Sequence, residues 1–231
     1  MIFAANFKTN HTRKSTEFYI KELNEKLGAK NPEDRVYIFP PATALDTYEG
    51  DFRMGAQNAY PTANGAYTGE IGLEQLDEFD IKTMLIGHSE RREHMGESQE
   101  KVAQKFSFFQ EQGFEIIYCI GEPLHIREKG FESVIQYLLA QFEGIDISYS
   151  NLIVAYEPIW AIGTGRSATV EEISTTHRAL KKAIDDKPLL YGGSANPANI
   201  KEIINIAGVD GVLVGSASLD AGSFFEMINC K

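Results

Sequence analysis

Short apolar runs alternate with longer amphipathic stretches along the whole chain. Residues 2–5, 36–39, 54–57, 84–86, 116–120, 152–155, 189–191 and 212–214 form runs too short for helices, which predicts eight strands buried on both faces. Between them the apolar residues recur every three or four positions: Ile20, Leu23 and Leu27; Val102, Phe106 and Phe109; Val134, Leu138 and Phe142; Ile173, His177, Leu180 and Ile184. Each set predicts a helix with one stripe to bury. The last begins with Thr169-Val170-Glu171-Glu172, a capping-box pattern that fixes where the helix starts. Strand–helix alternation predicts an α/β fold of parallel strands joined by right-handed crossovers. On pattern alone a doubly wound open sheet and a closed eight-stranded barrel remain open.

The placement of polar residues separates them. Asn6 and Lys8, His88, Glu157, Gly192 to Ser194, and Gly215-Ser216 all follow predicted strands, and none precedes one. In a barrel they converge on the C-terminal rim of the strands, where barrel active sites are built. The reading is therefore one barrel domain over residues 1–231, and an enzyme.

Composition narrows the chemistry. The 231 residues carry 22 Lys and Arg against 33 Asp and Glu, a net charge of −11, with no basic run beyond a pair such as Arg91-Arg92, which argues against nucleic acid as a partner. The opening lacks a basic segment before an apolar one, and no apolar stretch is long enough to cross a bilayer, so a cytoplasmic protein without a membrane partner is expected. Cys119 and Cys230 form neither a disulfide framework nor a metal-ligand spacing. With no dinucleotide fingerprint, no P-loop and no metal cluster, no cofactor and no metal are expected.

Four features carry candidate chemistry. Glu157 leaves an apolar strand and runs into Pro158-Ile159-Trp160-Ala161-Ile162-Gly163-Thr164-Gly165, an apolar segment suited to fold over a ligand, exclude water and raise the carboxyl pKa to that of a general base. The alternative is a structural acid paired to a basic neighbour; an exposed-looking Trp160 in a long apolar loop argues against it. His88, after Gly87 and next to a helix start, is placed to stay neutral and donate to a developing oxyanion; the alternative, favoured for a histidine standing alone, is a loop hydrogen-bond donor. His177 lies on an apolar stripe and reads as packed, while His11, His94 and His125 have no constellation around them. Lys8 and Asn6 supply a cation and an amide after the first strand, and the glycines at 192–193, 215 and 163 let backbone N–H groups cradle a phosphate.

A glutamate base, a histidine electrophile, a lysine and a phosphate cradle point to proton transfer beside a carbonyl on a small phosphorylated sugar. Over nearly its full length the chain resembles the triosephosphate isomerase family. The matching segments are Asn6-Phe7-Lys8, Gly55-Ala56-Gln57-Asn58, Gly65-Ala66-Tyr67-Thr68-Gly69-Glu70, Ile86-Gly87-His88-Ser89-Glu90-Arg91-Arg92, Cys119-Ile120-Gly121-Glu122, Tyr156 through Gly165, Tyr191-Gly192-Gly193-Ser194 and Val214-Gly215. The resemblance implies a (β/α)8 TIM barrel and the family's established mechanism of a Glu/His pair under a closing loop. It implies Glu157 as base, neutral His88 with Asn6 as electrophile, and Lys8 against the negative charge. Phosphate contacts would come from Gly163, Ser194, Gly215 and Ser216, the lid from residues 158–164, and Glu90 would tie down the Lys8 region. It also implies a homodimer, with Thr68 reaching the partner's site and Glu70 pairing with the partner's Arg91. Departures from the usual pattern are Phe7 and Thr9, Ala195, Arg166-Ser167, and Ser216 in place of a second glycine. The 16 residues after Gly215 predict a last helix reduced to a stub.

Two other readings compete: a synthase or epimerase barrel acting on a larger sugar phosphate, which the apolar segment after Glu157 and the His88 segment disfavour, and a noncatalytic barrel, which the presence of Glu157, His88 and Lys8 together disfavours.

Overall fold

The computed structural model describes residues 1–162 and 167–230. Eight strands alternate with helices in chain order: β1 (Ile2–Asn6), α1 (Arg13–Leu27), β2 (Arg35–Phe39), β3 (Arg53–Met54), α2 (Leu73–Asp77), β4 (Thr83–Ile86), α3 (Ser89–His94), α4 (Gln99–Glu111), β5 (Glu115–Glu122), α5 (Leu124–Arg127), α6 (Phe131–Ala140), β6 (Leu152–Pro158), α7 (Val170–Ala183), β7 (Leu189–Tyr191), α8 (Ile200–Ile204), β8 (Gly211–Val214) and α9 (Ala221–Ile228). The strand order is β3-β2-β1-β8-β7-β6-β5-β4, all pairs parallel.

The ring closes through one bridge, Ala56 to Met84, in which Ala56 N–H donates to the Thr83 carbonyl (2.9 Å) and Leu85 N–H to the Ala56 carbonyl (2.9 Å). The run at 54–57 is thus divided, its start laddered to β2 and its end bridged to β4. Gly55 lies between the two, where an added Cβ would fall 2.2 Å from the Phe39 ring.

Burial on both strand faces follows from the alternation of side chains. Ala4, Tyr37, Leu85, Ile117, Ile153, Leu190 and Leu213 are among those that fill the interior of the barrel, while their neighbours Phe3, Ala5, Ile38, Ile116, Tyr118 and Val154 pack under the helices. The helical stripes at Leu23, Val102, Leu138 and Leu180 are all buried there. At α7 the capping box is closed in both directions: Glu172 N–H donates to Thr169 Oγ1 (3.2 Å) and Thr169 N–H to Glu172 Oε2 (2.8 Å). α9 is two turns long, as the short C-terminal segment implies.

Two expectations shift. β5 and β6 extend two and three residues past their apolar runs, with Gly121 in register with Glu157 and Glu122 with Pro158. Glu157 therefore belongs to the strand and does not follow it. Main-chain pairing continues because Gly121 brings no side chain to the contact, where a Cβ would lie 2.2 Å from the Glu157 carbonyl oxygen. The one-turn helices α2, α3, α5 and α8 are too short for an apolar period to announce them.

Candidate active site

The C-terminal strand ends carry the polar residues. Asn6, the last residue of β1, is buried, and its Oδ1 accepts from Lys8 N–H (3.0 Å), holding Lys8 in left-handed backbone at φ 52°. Gln57 braces the turn by donating from Nε2 to the Lys8 carbonyl (2.8 Å) and the Phe39 carbonyl (2.9 Å). The Lys8 ammonium meets Glu90 Oε1 at 2.5 Å.

After β4, Gly87 turns the chain at φ 77°, where a Cβ would strike Arg92 at 2.8 Å. His88 then caps α3, its Nδ1 accepting from Glu90 N–H (3.3 Å). That donor leaves the hydrogen on Nε2, which lies 3.0 Å from Glu157 Oε1. Glu157, 1% exposed, also accepts from Ser89 N–H (2.9 Å) and the Ser89 hydroxyl (3.2 Å).

These contacts reverse the expected titration of the pair. Burial alone raises a carboxyl pKa, but His88 at 3.0 Å and the two Ser89 donors outweigh it and hold Glu157 below the usual glutamate range. Burial alone also lowers an imidazole, and here the carboxylates of Glu157 and Glu90 prevail and push His88 up. The raised base expected from the sequence is absent from this arrangement, because the two groups face one another, whereas the imidazole, its Nδ1 accepting from Glu90 N–H, keeps Nε2–H as its donor.

A cavity of about 270 Å³ opens beside them, bounded by Asn6, Lys8, His88 and Glu157 on one side and Gly193, Ser194, Gly215 and Ser216 on the other. Cβ atoms at Gly192 and Gly215 would press on Glu157 Cγ (3.0 Å) and Lys8 Cε (3.2 Å), so bare backbone is required on both sides. Among the described residues, no group of three or more His, Cys, Asp or Glu side chains is arranged to hold a metal ion.

The triosephosphate isomerase family model matches residues 1–231. A triosephosphate isomerase of Sulfurovum sp. (strain NBC37-1) is 68% identical over 228 residues, 99% of each chain. Those of Sulfurimonas denitrificans and of a Nitratiruptor species are 55% and 54% identical, covering 98% and 99% of this chain and 94% and 97% of their own. The chain belongs to the triosephosphate isomerase family.

Other residues singled out through that family fall as follows. Ser194 donates its hydroxyl to the Ala161 carbonyl (2.7 Å), joining the loop after β7 to the turn after β6. Ser216 is exposed at the rim of the cavity, in the 3-10 turn Ser216–Ser218, so its side chain displaces nothing. Gly163 lies outside the described residues, as does Thr164 of the lid. Thr68 and Glu70 sit in an exposed loop. Arg91 pairs with Glu97 of its own chain (3.0 Å). A second cavity, about 580 Å³, runs from Asn6, Lys8 and His88 to Gly69, Glu70 and Met95, the last 67% exposed.

Trp160 is half-buried, its indole N–H donating to Glu122 Oε1 (2.8 Å), which also accepts from the Tyr156 hydroxyl (3.0 Å). Burial pushes the Glu122 carboxyl up despite those donors. Arg127 lies over the Trp160 ring at 5.2 Å and pairs with Glu172 at 2.9 Å, anchoring the lid's first turn to α7. Sequence reasoning gave no role to Ser89, Gln57 or Glu122. All three stand within the motifs quoted for the family, Ser89 beside His88, Gln57 beside Asn58 and Glu122 at the end of Cys119-Ile120-Gly121-Glu122, and that membership is the available signal.

Proposed function

We propose that the chain interconverts dihydroxyacetone phosphate and D-glyceraldehyde 3-phosphate through an enediolate, as a cofactor-independent aldose–ketose isomerase of glycolysis and gluconeogenesis. Glu157 takes a proton from the carbon beside the carbonyl and returns it to the neighbouring carbon. His88 Nε2–H, with the Asn6 amide, polarises the carbonyl and moves protons between the two oxygens; the Glu90 N–H on Nδ1 favours the tautomer this needs. Lys8 balances the charge of the phosphate and the enediolate. Backbone N–H groups at Gly163, Ser194, Gly215 and Ser216 hold the phosphate, and residues 158–164 cover it.

The observation that carries the reading is the convergence of Asn6, Lys8, His88 and Glu157 with the Gly215 loop on one small cavity. For catalysis Glu157 leaves His88 and Ser89 and turns to the substrate carbon. It thereby sheds the partners that hold its pKa down while staying shielded from water, and it becomes a stronger base. The same departure removes the carboxylate that favours His88 protonation and frees Nε2–H to donate to the substrate. The test is formation of dihydroxyacetone phosphate from D-glyceraldehyde 3-phosphate in chelated buffer without added cofactor, beside Glu157→Gln. No conversion by folded protein refutes the reading.

The working form is a homodimer of one catalytic domain per chain, in the cytoplasm. The exposed loop at residues 65–70 would carry Thr68 towards the Asn6, Lys8 and His88 cluster of a second copy, and Glu70 towards the second copy's Arg91, a residue that lines the larger cavity. A stably monomeric loop variant with full turnover would overturn this coupling. Among the described residues no helix is long and apolar enough to cross a membrane.

A further inference from the structure

The loop between β1 and α1 contains two residues in left-handed backbone, Lys8 at φ 52° and His11 at φ 68°. A glycine adopts such angles freely, whereas a residue with a Cβ adopts them uncommonly, histidine more readily than most, and usually where its side chain's contacts hold it. At His11 the ring is engaged on every side. It lies against Phe7 (centroids 4.6 Å apart) and Tyr19 (5.7 Å). Its Nδ1 is 3.2 Å from the Ser15 hydroxyl and its Nε2 is 3.0 Å from the Leu219 carbonyl oxygen. A carbonyl only accepts, so Nε2 carries a hydrogen and donates it across 208 positions of sequence. Leu219 directly follows the turn Ser216–Ser218, whose own fold is fixed by the Ser218 hydroxyl on the Val214 and Gly215 carbonyls (2.9 and 2.7 Å).

We propose that His11 is a positioning residue for the phosphate end of the site. Its imidazole ties the β1 loop, which carries Lys8, to the β8 loop, which carries Gly215 and Ser216, and so sets the spacing between the ammonium and the backbone N–H groups that grip one phosphate. The proposal rests on the reading of the site given above. His11 is not among the residues lining the cavity, so its effect passes through the two loops. Lys8 and Gly215 are close enough for the spacing to matter, since a Cβ on Gly215 would lie 3.6 Å from the ammonium nitrogen. Loops free to drift relative to each other would meet the phosphate with one set of contacts or the other, not both.

The test uses inorganic phosphate as probe, by titration calorimetry, with kcat, KM and melting midpoint measured on the same variants. His11→Gly removes the ring and relieves the left-handed strain. His11→Gln restores a side-chain N–H at about the reach of Nε2. Loss of one positioning hydrogen bond predicts phosphate binding weakened about fivefold in His11→Gly, KM raised by a similar factor and kcat little changed. His11→Gln recovers most of the loss, which a purely structural role would not require. Should His11→Gly not fold, His11→Asn takes its place, since it tolerates the backbone but falls short of Leu219. Unchanged phosphate affinity in the ring-less variant, or failure of His11→Gln to recover it, overturns the proposal. Wild type that binds phosphate but does not isomerise refutes the isomerase reading and leaves the tie between the loops tested; wild type that binds no phosphate overturns both.

Discussion

Replacing Glu157 with Gln probes the site most directly, because the variant is nearly isosteric and every carboxylate contact is known. Oε1 takes the His88 Nε2–H and the Ser89 hydroxyl, and Oε2 takes the Ser89 N–H. An amide has one oxygen. With that oxygen at the Oε1 position, the NH2 faces the Ser89 N–H, donor against donor. With the amide flipped, the NH2 faces His88 Nε2, which must then give up its hydrogen to Nδ1, and Nδ1–H collides with the Glu90 N–H. One unsatisfied buried donor is unavoidable, at a cost of about 1–3 kcal/mol. For a chain of this size that lowers the melting midpoint by roughly 2–12 °C. Relief from burying a charge opposes the loss, so these figures are upper bounds. The catalytic effect is separate: loss of the general base lowers kcat by about 10²- to 10⁴-fold or more, equivalent to roughly 3–5 kcal/mol of barrier. A third readout isolates the pairing. NMR titration of the His88 ring should show its pKa falling in the variant, because the carboxylate that raises it is gone and burial remains. Near-wild-type turnover would remove Glu157 from the mechanism, and an unmoved His88 titration would refute the pairing as the cause of its shift.

Glu97→Ala leaves the buried Lys105 with Asn58 Oδ1 (2.6 Å) as its one remaining acceptor among the described residues and removes the Arg91–Glu97 pair. The cost should be about 3–5 kcal/mol, or roughly 6–20 °C of melting midpoint, by calorimetry; a loss below about 1 kcal/mol would contradict the pairing. His177, fully buried with Nε2 unpartnered among the described residues, has its pKa lowered by burial from 6.5 to about 4 despite the bond to the Gly208 carbonyl. The unfolded chain therefore binds the extra proton first, so this stability is complete above about pH 6.5 and falls towards pH 4, by ~3 kcal/mol in all. Urea midpoints for His177→Asn should lose that part of the acid dependence, and an unchanged profile would reject the assignment. Gly215→Ala places a methyl 3.2 Å from Lys8 Cε, so it should raise KM more than it lowers kcat; the reverse split in steady-state rates would remove Lys8 from phosphate binding.

The barrel was legible because most of its strands repeat one simple constraint. Residues such as Phe3 and Ala4 are both buried, one under helices and one inside the ring, so strands such as β1 and β8 read as unbroken apolar runs, whereas β3, with Arg53 exposed and Met54 half-buried, does not. Strand ends were less legible. The apolar signal stops at Ile120 and Ala155, but pairing continues through Gly121 and Glu122, whose burial depends on partners 34 and 38 positions away at Tyr156 and Trp160. The site's residue types were readable from motif positions, whereas its titration was not. Glu157 and His88 are 69 positions apart, and whether each lowers or raises the other depends on a 3.0 Å contact that no local pattern encodes.

That contact also explains how a chain of net charge −11 can hold an anionic substrate. Leaving a charge unpaired away from water is costly, and here the half-buried Lys8 rests on Glu90 at 2.5 Å, while the buried Glu157 rests on His88 and Ser89. On the proposed roles, substrate phosphate competes with a carboxylate for Lys8, and the substrate carbon competes with an imidazole for Glu157. Each exchange returns only the difference between two favourable contacts, so ground-state binding stays moderate. In the proposed mechanism the enediolate adds a second negative charge beside Lys8 and a new oxyanion beside His88 Nε2–H. Neither Glu90 nor Glu157 supplies a counterpart to those gains, which concentrates the available stabilisation where it lowers the barrier.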